Sequence, residues 1–328
     1  MKQSAAEIPE LTTLRKSAIA TGTTRDYAGQ VTVSQIPNFD LDKTIFNTLE
    51  GHLPRFVMRT RVAKDVKWSE THQSSIEQAY QAMVSEASAL PEVSSDLLAF
   101  MVNECDFDVE HADGSFLDHL YFCYEYTHHH LPGRSALVML LHSILGTGTN
   151  TFAMTADKIP ALKSLVDEHE WLHIESFPSA LRLLYDGGLR AALRQNIERL
   201  DQLKSISFHR VIDNEPIEMS AEDFWLQLNY QLIHLVDFLP VSNWAVHAND
   251  TSFIVFRDLY DLLERSGRLE AKVEYVRSTR AGSIGESRGL GAKLVSMIPV
   301  GLSERMAGKS IRQFSKRIGH SLDYQLEW

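Results

Sequence analysis

The segment that most constrains this chain is residues 136–145, which is apolar on every side of a helix and yet contains His142. A helix that is hydrophobic all round lies inside a core. We therefore expect His142 to be buried. The surrounding uncharged stretch, residues 135–156, is interrupted at Gly146 and Gly148, so its apolar part is too short to span a bilayer.

A second histidine, His119, falls on a predicted apolar face. Phe116, Leu120 and Cys123 recur with it at the i, i+3, i+4, i+7 spacing of one helical face. His119 is therefore predicted to point inward with core residues. Cys123 shares that face, which indicates a buried and inert thiol.

A carboxylate, Asp237, lies on a third apolar face, in line with Tyr230 and Ile233. An ionised carboxylate among apolar neighbours is costly unless a cation or hydrogen-bond donors compensate it. We expect His119, His142 and Asp237 to converge on one metal ion. Two histidines and one carboxylate suit Fe, Mn or Zn and leave coordination positions open.

The pattern along the chain divides it into three parts. Residues 1–92 are mixed, with a short predicted strand at 30–36 and a helix at 74–90. Residues 93–263 are dominated by helices that Pro132-Gly133, Pro178 and Gly187-Gly188 divide, and residues 207–219 resemble a hairpin with its turn at 213–214. Ser115 with Asp118 and Ser220 with Asp223 resemble capping boxes. The fold is predicted to be mostly α, with small β additions and a basic C-terminal extension.

That extension, residues 264–328, differs in charge from the rest of the chain. Between residues 265 and 320 there are twelve Lys and Arg against four Glu, giving +8, and the net charge of −11 leaves −19 elsewhere. The segment is therefore either separable, binding an acidic protein or an anionic membrane surface, or packed on the acidic body of its own molecule. Little aromatic interleaving makes nucleic acid an unlikely partner.

Cysteine content and the N-terminal residues favour a cytoplasmic protein. Cys105 and Cys123 are the two cysteines and lack Cys-x-x-Cys spacing, and residues 1–7 contain no apolar run of the kind found in secretory signals.

The order of these residues resembles the HD-domain superfamily of helical metal-dependent proteins, over roughly residues 95–245. The matching positions are His119, His142 followed by Ser143, and Asp237 within residues 232–239. The local likeness is greatest to an uncharacterised offshoot with His-Ser in place of His-Asp, which also has counterparts of His111 and of residues 146–147.

The resemblance implies an HD-like helical domain that hydrolyses a small phosphorylated or nucleotide-like metabolite. In the superfamily an aspartate follows the second histidine and bridges two metals, whereas Ser143 is neutral, so one divalent transition metal is expected. Two alternatives remain open: an iron-dependent oxygenase of the same superfamily, and a catalytically inactive HD-like binding protein.

Further polar residues are weighed as a general base or as extra ligands. His111, His169, Glu170 and His173 are candidates for either role, and Glu170 and His169 are the predicted catalytic residues. His234 falls with glutamines on the polar side of its helix and is predicted to be structural or solvent-facing. The run at 128–130 is predicted to be a solvated helix end.

Overall fold

The computed structural model describes residues 52–53, 56–57, 90–105, 116–236, 249–273 and 290–328. These residues are mostly helical and include a small three-stranded sheet, which confirms the predicted fold class. The predicted strand at 30–36, most of the helix at 74–90, Ser115, His111 and Asp237 lie outside the described residues.

The helices and strands follow one another in a simple order. The first half contains α1 (Ser95–Glu104), α2 (Phe116–His130), α3 (Leu137–Leu141), α4 (Ile159–Lys163), α5 (Glu168–Asp186) and α6 (Gly188–Gln195). The second half contains β1 (Ser205–His209), β2 (Pro216–Ser220), α7 (Ala221–Val236), α8 (Thr251–Arg265), α9 (Leu290–Ser296), α10 (Val300–Ile318) and β3 (Gln325–Glu327). Short 3-10 turns at Ala156–Lys158 and Ile197–Gln202 connect neighbouring helices.

Helices α5 and α7 form the centre of the body. The α5 N-terminus is fixed by a capping box, in which Asp167 accepts from the Glu170 amide at 2.7 Å and Glu170 accepts from the Asp167 amide at 3.0 Å. The helix ends at Gly187, whose φ of 91° suits glycine. The prediction that Pro178 ends a helix is wrong: α5 continues through it. Because its flanks are buried, packing compensates for the lost amide.

The predicted hairpin is present and receives a third strand. Strands β1 and β2 are antiparallel, with Phe208 opposite Ile217, and Asn214 in the turn takes a φ of 62°. Strand β3 pairs with the other edge of β1, so that Ile206 lies opposite Leu326. The last residues of the chain therefore complete a sheet that begins near residue 205.

The described part of the basic segment packs on the helical body. In α10, Ile311 and Phe314 are buried, and an added Cβ at Gly308 would lie 3.1 Å from the Asp186 carbonyl oxygen of α5. Ion pairs Arg312–Asp186 and Arg190–Glu304 also join α10 to the body. Residues 290–328 are thus packed on the body of their own molecule.

No described helix is long and apolar enough to cross a membrane.

Two buried histidines, His130 and His320, predict acid sensitivity, and the burial of His130 corrects the expectation that residues 128–130 form a solvated helix end. Burial lowers the pKa of His130 and that of His320 from 6.5 to about 4. The unfolded chain therefore binds more protons between these values, so their stabilising contribution is complete above about pH 6.5 and is lost as the pH falls toward 4.

We expect the midpoint temperature of thermal unfolding to be lower at pH 5 than at pH 7. Each of these histidines changes the free energy of unfolding by up to about 1.4 kcal/mol per pH unit. Circular dichroism at several pH values measures the decline. His320→Gln should make it shallower, and an unchanged slope in that variant would contradict the assignment.

Candidate metal centre

Three buried histidines meet where α2, α3 and α7 come together. His119 lies in the first turn of α2, His142 directly follows α3, and His234 lies in the last turn of α7. Their side chains are 1%, 0% and 5% exposed. Leu120 and Cys123 are buried beside His119 on α2, as the helical spacing predicts.

The imidazole rings form a nearly equilateral triangle. Ring centroids lie 5.0 Å apart for His119 and His142, 5.0 Å for His119 and His234, and 4.9 Å for His142 and His234. One ring nitrogen from each residue lies within 4.8 Å of the other two. This is an arrangement that can hold a metal ion.

The closest pair of nitrogens tests this interpretation. His119 Nε2 and His142 Nε2 are 3.1 Å apart. Two nitrogens at about 2.05 Å from one ion and separated by that distance subtend roughly 98° at the ion, between the cis-octahedral and tetrahedral values. The separation of these two nitrogens therefore suits a shared ion, and the His234 nitrogen, within 4.8 Å of both, would have to move inward to join them.

The orientation of His142 is set by the backbone. Its Nδ1 donates to the Met139 carbonyl oxygen at 2.7 Å, which leaves Nε2 with its lone pair directed toward His119. Burial lowers the pKa of His142 to about 4, so the ring is neutral at physiological pH. A neutral imidazole whose other nitrogen is held by a carbonyl is the form in which histidine binds metals.

Phe177 of α5 lines the centre on one side. Its ring lies 4.5 Å from the His142 ring and 5.3 Å from the His234 ring, measured between centroids. Ser143, the residue after His142, is also buried. Apolar packing of this kind restricts the rings to one orientation and keeps bulk water from them.

His234 corrects one prediction from the sequence. We expected it to be structural or solvent-facing because it aligns with Gln227 and Gln231, but all three side chains are buried. The polar side of α7 is covered by α5, where Gln231 donates to the Phe177 carbonyl oxygen at 2.9 Å and Gln227 accepts from His173 at 2.8 Å. The overlooked sequence pattern is the i, i+3 spacing of His234 and Asp237, which would have predicted His234 as a partner of the carboxylate already chosen as a ligand.

Glu170 and His169 lie elsewhere. The Glu170 carboxylate completes the α5 capping box and accepts from the Ser135 hydroxyl at 2.6 Å. His169 is 52% exposed and faces Asp223, with 3.2 Å between Nε2 and Oδ1. Both residues precede Phe177 by seven or eight positions, about 10–12 Å along α5. A general base needs hydrogen-bond reach, directly or through one water, so neither is placed to serve the three-histidine centre.

Arg182 fixes the loop that follows His142. This fully buried side chain donates from Nη2 to the Thr147 carbonyl oxygen at 2.7 Å and to Asn150 Oδ1 at 2.6 Å, and from Nη1 to Ser315 Oγ at 3.2 Å. No carboxylate compensates its charge in the described part of the chain, and burial lowers its pKa to about 10. Sequence analysis did not single it out, because its partners are distant in the chain.

Comparisons with known proteins assign no family to the chain. No protein-family model matches the chain, no curated protein matches its sequence, and no solved structure matches its fold.

Proposed function

We propose that the protein is a metal-dependent hydrolase with a single catalytic ion held by His119, His142 and His234. The observation that supports this proposal most strongly is that three buried imidazoles from three separate elements come close together. Asp237, three residues after His234 in the sequence, is proposed as the carboxylate of the same centre. The centre would belong to a domain of the HD-like type that the sequence resembles.

The donor set favours Zn or Fe over Mn. Imidazole nitrogens suit Zn, Fe, Cu and Ni, whereas Mn prefers carboxylate, carbonyl and water oxygens. Three described histidines in place of the two predicted therefore move the expected metal toward Zn(II) or Fe(II). Ser143 adds no negative charge beside His142, which supports one ion and not a bridged pair.

A bound ion of this kind lowers the pKa of its coordinated water to about 7 and so supplies a nucleophile at neutral pH. The chain's own contribution is to hold His142 neutral, through burial and its bond to the Met139 carbonyl, and to exclude bulk water with Phe177.

The proposed substrate is a small anionic metabolite, phosphorylated or nucleotide-like. Three neutral imidazoles leave the charge of a divalent ion uncompensated. One carboxylate from Asp237 would cancel half of it, so the buried centre would keep a net positive charge. Such a centre attracts an anion. With His169 and Glu170 remote, nucleophile formation rests on the metal ligands and not on either of these residues.

Substitution of a histidine ligand should abolish hydrolysis and the retention of metal at the three-histidine centre. We expect His142→Ala and His234→Ala to lower metal affinity by at least about 100-fold, because loss of a direct ligand exceeds the 10–100-fold cost of losing a supporting residue. Elemental analysis of purified protein, with phosphate release from a panel of nucleotides and phosphoesters, measures both effects. The matched control is His128→Ala at the α2 end, which should retain both.

Three results would count against this function. Wild-type protein that holds no metal would favour the binding-protein alternative. Iron without phosphate release would favour the oxygenase. Unchanged hydrolysis in His142→Ala would remove the three-histidine centre from the chemistry.

A further inference from the structure

We propose a second, solvent-accessible metal site formed by His169, His173 and Asp223, which takes a divalent late transition ion such as Zn(II). It uses none of the residues of the three-histidine centre. Along α7, Asp223 precedes His234 by eleven residues, a separation of roughly 16 Å, so the two sites are distinct.

The two histidines are one helical turn apart on α5. Their ring centroids lie 4.7 Å apart, and Asp223 in the first turn of α7 faces both of them. Its Oδ1 is 3.2 Å from His169 Nε2 and 3.9 Å from His173 Nε2. One ligand atom from each residue therefore lies within 4.8 Å of the other two.

His173 is the observation that points to a ligand. Its side chain is 0% exposed, yet Nε2 has no hydrogen-bond partner. Its Nδ1 donates to Gln227 Oε1 at 2.8 Å, and the same oxygen accepts from Ser176 Oγ at 3.2 Å. This arrangement places the proton on Nδ1 and leaves the Nε2 lone pair directed at Asp223. A buried nitrogen left without a partner is costly, and a bound ion would satisfy it.

Asp223 is oriented by its own helix cap. Ser220 Oγ donates to Asp223 Oδ2 at 2.7 Å and accepts from the Asp223 amide at 3.1 Å. The carboxylate is thereby held with Oδ1 facing the histidines. Metal ligands in proteins are commonly held by hydrogen bonds from a second residue, as His173 is held by Gln227 and Asp223 by Ser220.

The distances fit an ion after a modest adjustment. Ligand atoms 3.2 Å apart and each about 2.05 Å from one ion subtend roughly 103°, close to tetrahedral. The 3.9 Å separation between Asp223 Oδ1 and His173 Nε2 must shorten by roughly 0.7 Å for the same geometry. Asp223 is 24% exposed, so a rotation of its carboxylate about the hydrogen bond to Ser220 can bring Oδ1 toward His173, and His169, 52% exposed, can follow it. Because His169 faces solvent, this ion exchanges with solution more readily than one in the three-histidine centre.

The competing interpretation is a simple ion pair between protonated His169 and Asp223. An ion pair accounts for the 3.2 Å contact but leaves His173 Nε2 without a partner. The two interpretations differ in their response to added metal, and a variant that preserves metal binding while abolishing the ion pair separates them.

Calorimetric titration of Zn(II) into chelator-treated full-length protein at pH 7.5 is the test. Wild type should show a Zn(II)-binding event for this site. His169→Ala and Asp223→Asn should weaken the affinity of that event by at least tenfold, whereas His169→Cys should retain it because a thiolate binds zinc. The three substitutions change two residues that are 52% and 24% exposed, and thermal denaturation verifies that each variant folds. His128→Ala is the matched control and should leave the event unchanged.

The outcomes separate this site from the proposed catalytic centre. His142→Ala should leave the event intact, so failure of the hydrolase proposal does not remove this site. Equal Zn(II) affinity in wild type and His169→Ala, or loss of affinity in His169→Cys equal to that in His169→Ala, would overturn the proposal and leave an ion pair.

Discussion

Replacement of Arg182 by alanine is expected to lower the free energy of unfolding by about 3 kcal/mol. The guanidinium is fully buried and is the donor to Thr147, Asn150 and Ser315. Its removal takes the donor from one buried and two part-buried acceptors, at up to about 1–3 kcal/mol each, and opens a cavity. Urea denaturation followed by circular dichroism measures the loss.

Two further variants define the cause of that loss. Arg312 pairs with Asp186 at the surface and is 57% exposed, so Arg312→Ala should cost no more than about 1 kcal/mol. Arg182→Lys should not restore stability, because an ammonium group cannot reproduce a planar fork of donors. A change below about 0.5 kcal/mol in Arg182→Ala would show that the loop and α10 do not depend on it.

Truncation after Leu263 is expected to leave a chain without a cooperative thermal transition. It removes α10, which packs on α5, and β3, which pairs with β1. The lost helix carries Ile311 and Phe314, both buried, and the lost strand leaves an edge of β1 unpaired. Differential scanning calorimetry of the truncated and full chains gives the comparison.

Point substitutions in α10 provide a finer version of this test. Phe314 is 3% exposed and Leu302 is 46% exposed on the same helix. Phe314→Ala should therefore cost about 3–5 kcal/mol, and Leu302→Ala should be close to neutral. A truncated chain that still unfolds cooperatively would favour the separable, partner-binding segment that the charge asymmetry allows.

The sequence predicted part of the site because burial patterns are local. The apolar run around His142 required a buried helix, and the spacing of Leu120 and Cys123 placed His119 on an inward face. The hairpin was predictable for the same reason, since its turn lies at Asn214, where the φ of 62° suits asparagine. Each of these predictions depends on residues that are close together in the sequence.

The remainder depended on tertiary packing, which local patterns do not encode. The glutamines and histidines on one side of α7 look solvent-facing until α5 is placed against them, where Gln231 bonds the Phe177 carbonyl. Arg182 looks like a surface cation, but its partner Ser315 is 133 residues away. Pro178 is tolerated inside α5 because the surrounding core holds that helix together.

Anomalous diffraction at a transition-metal absorption edge tests the central claim most directly. The account predicts a peak at the three-histidine centre, about 2.0–2.1 Å from Nε2 of His119 and from Nε2 of His142, with a ring nitrogen of His234 also coordinated. This peak is separate from any at His169, His173 and Asp223. The peak should be absent in His142→Ala crystals grown under the same conditions. Metal-supplemented wild-type crystals with no peak between these three rings would contradict the account.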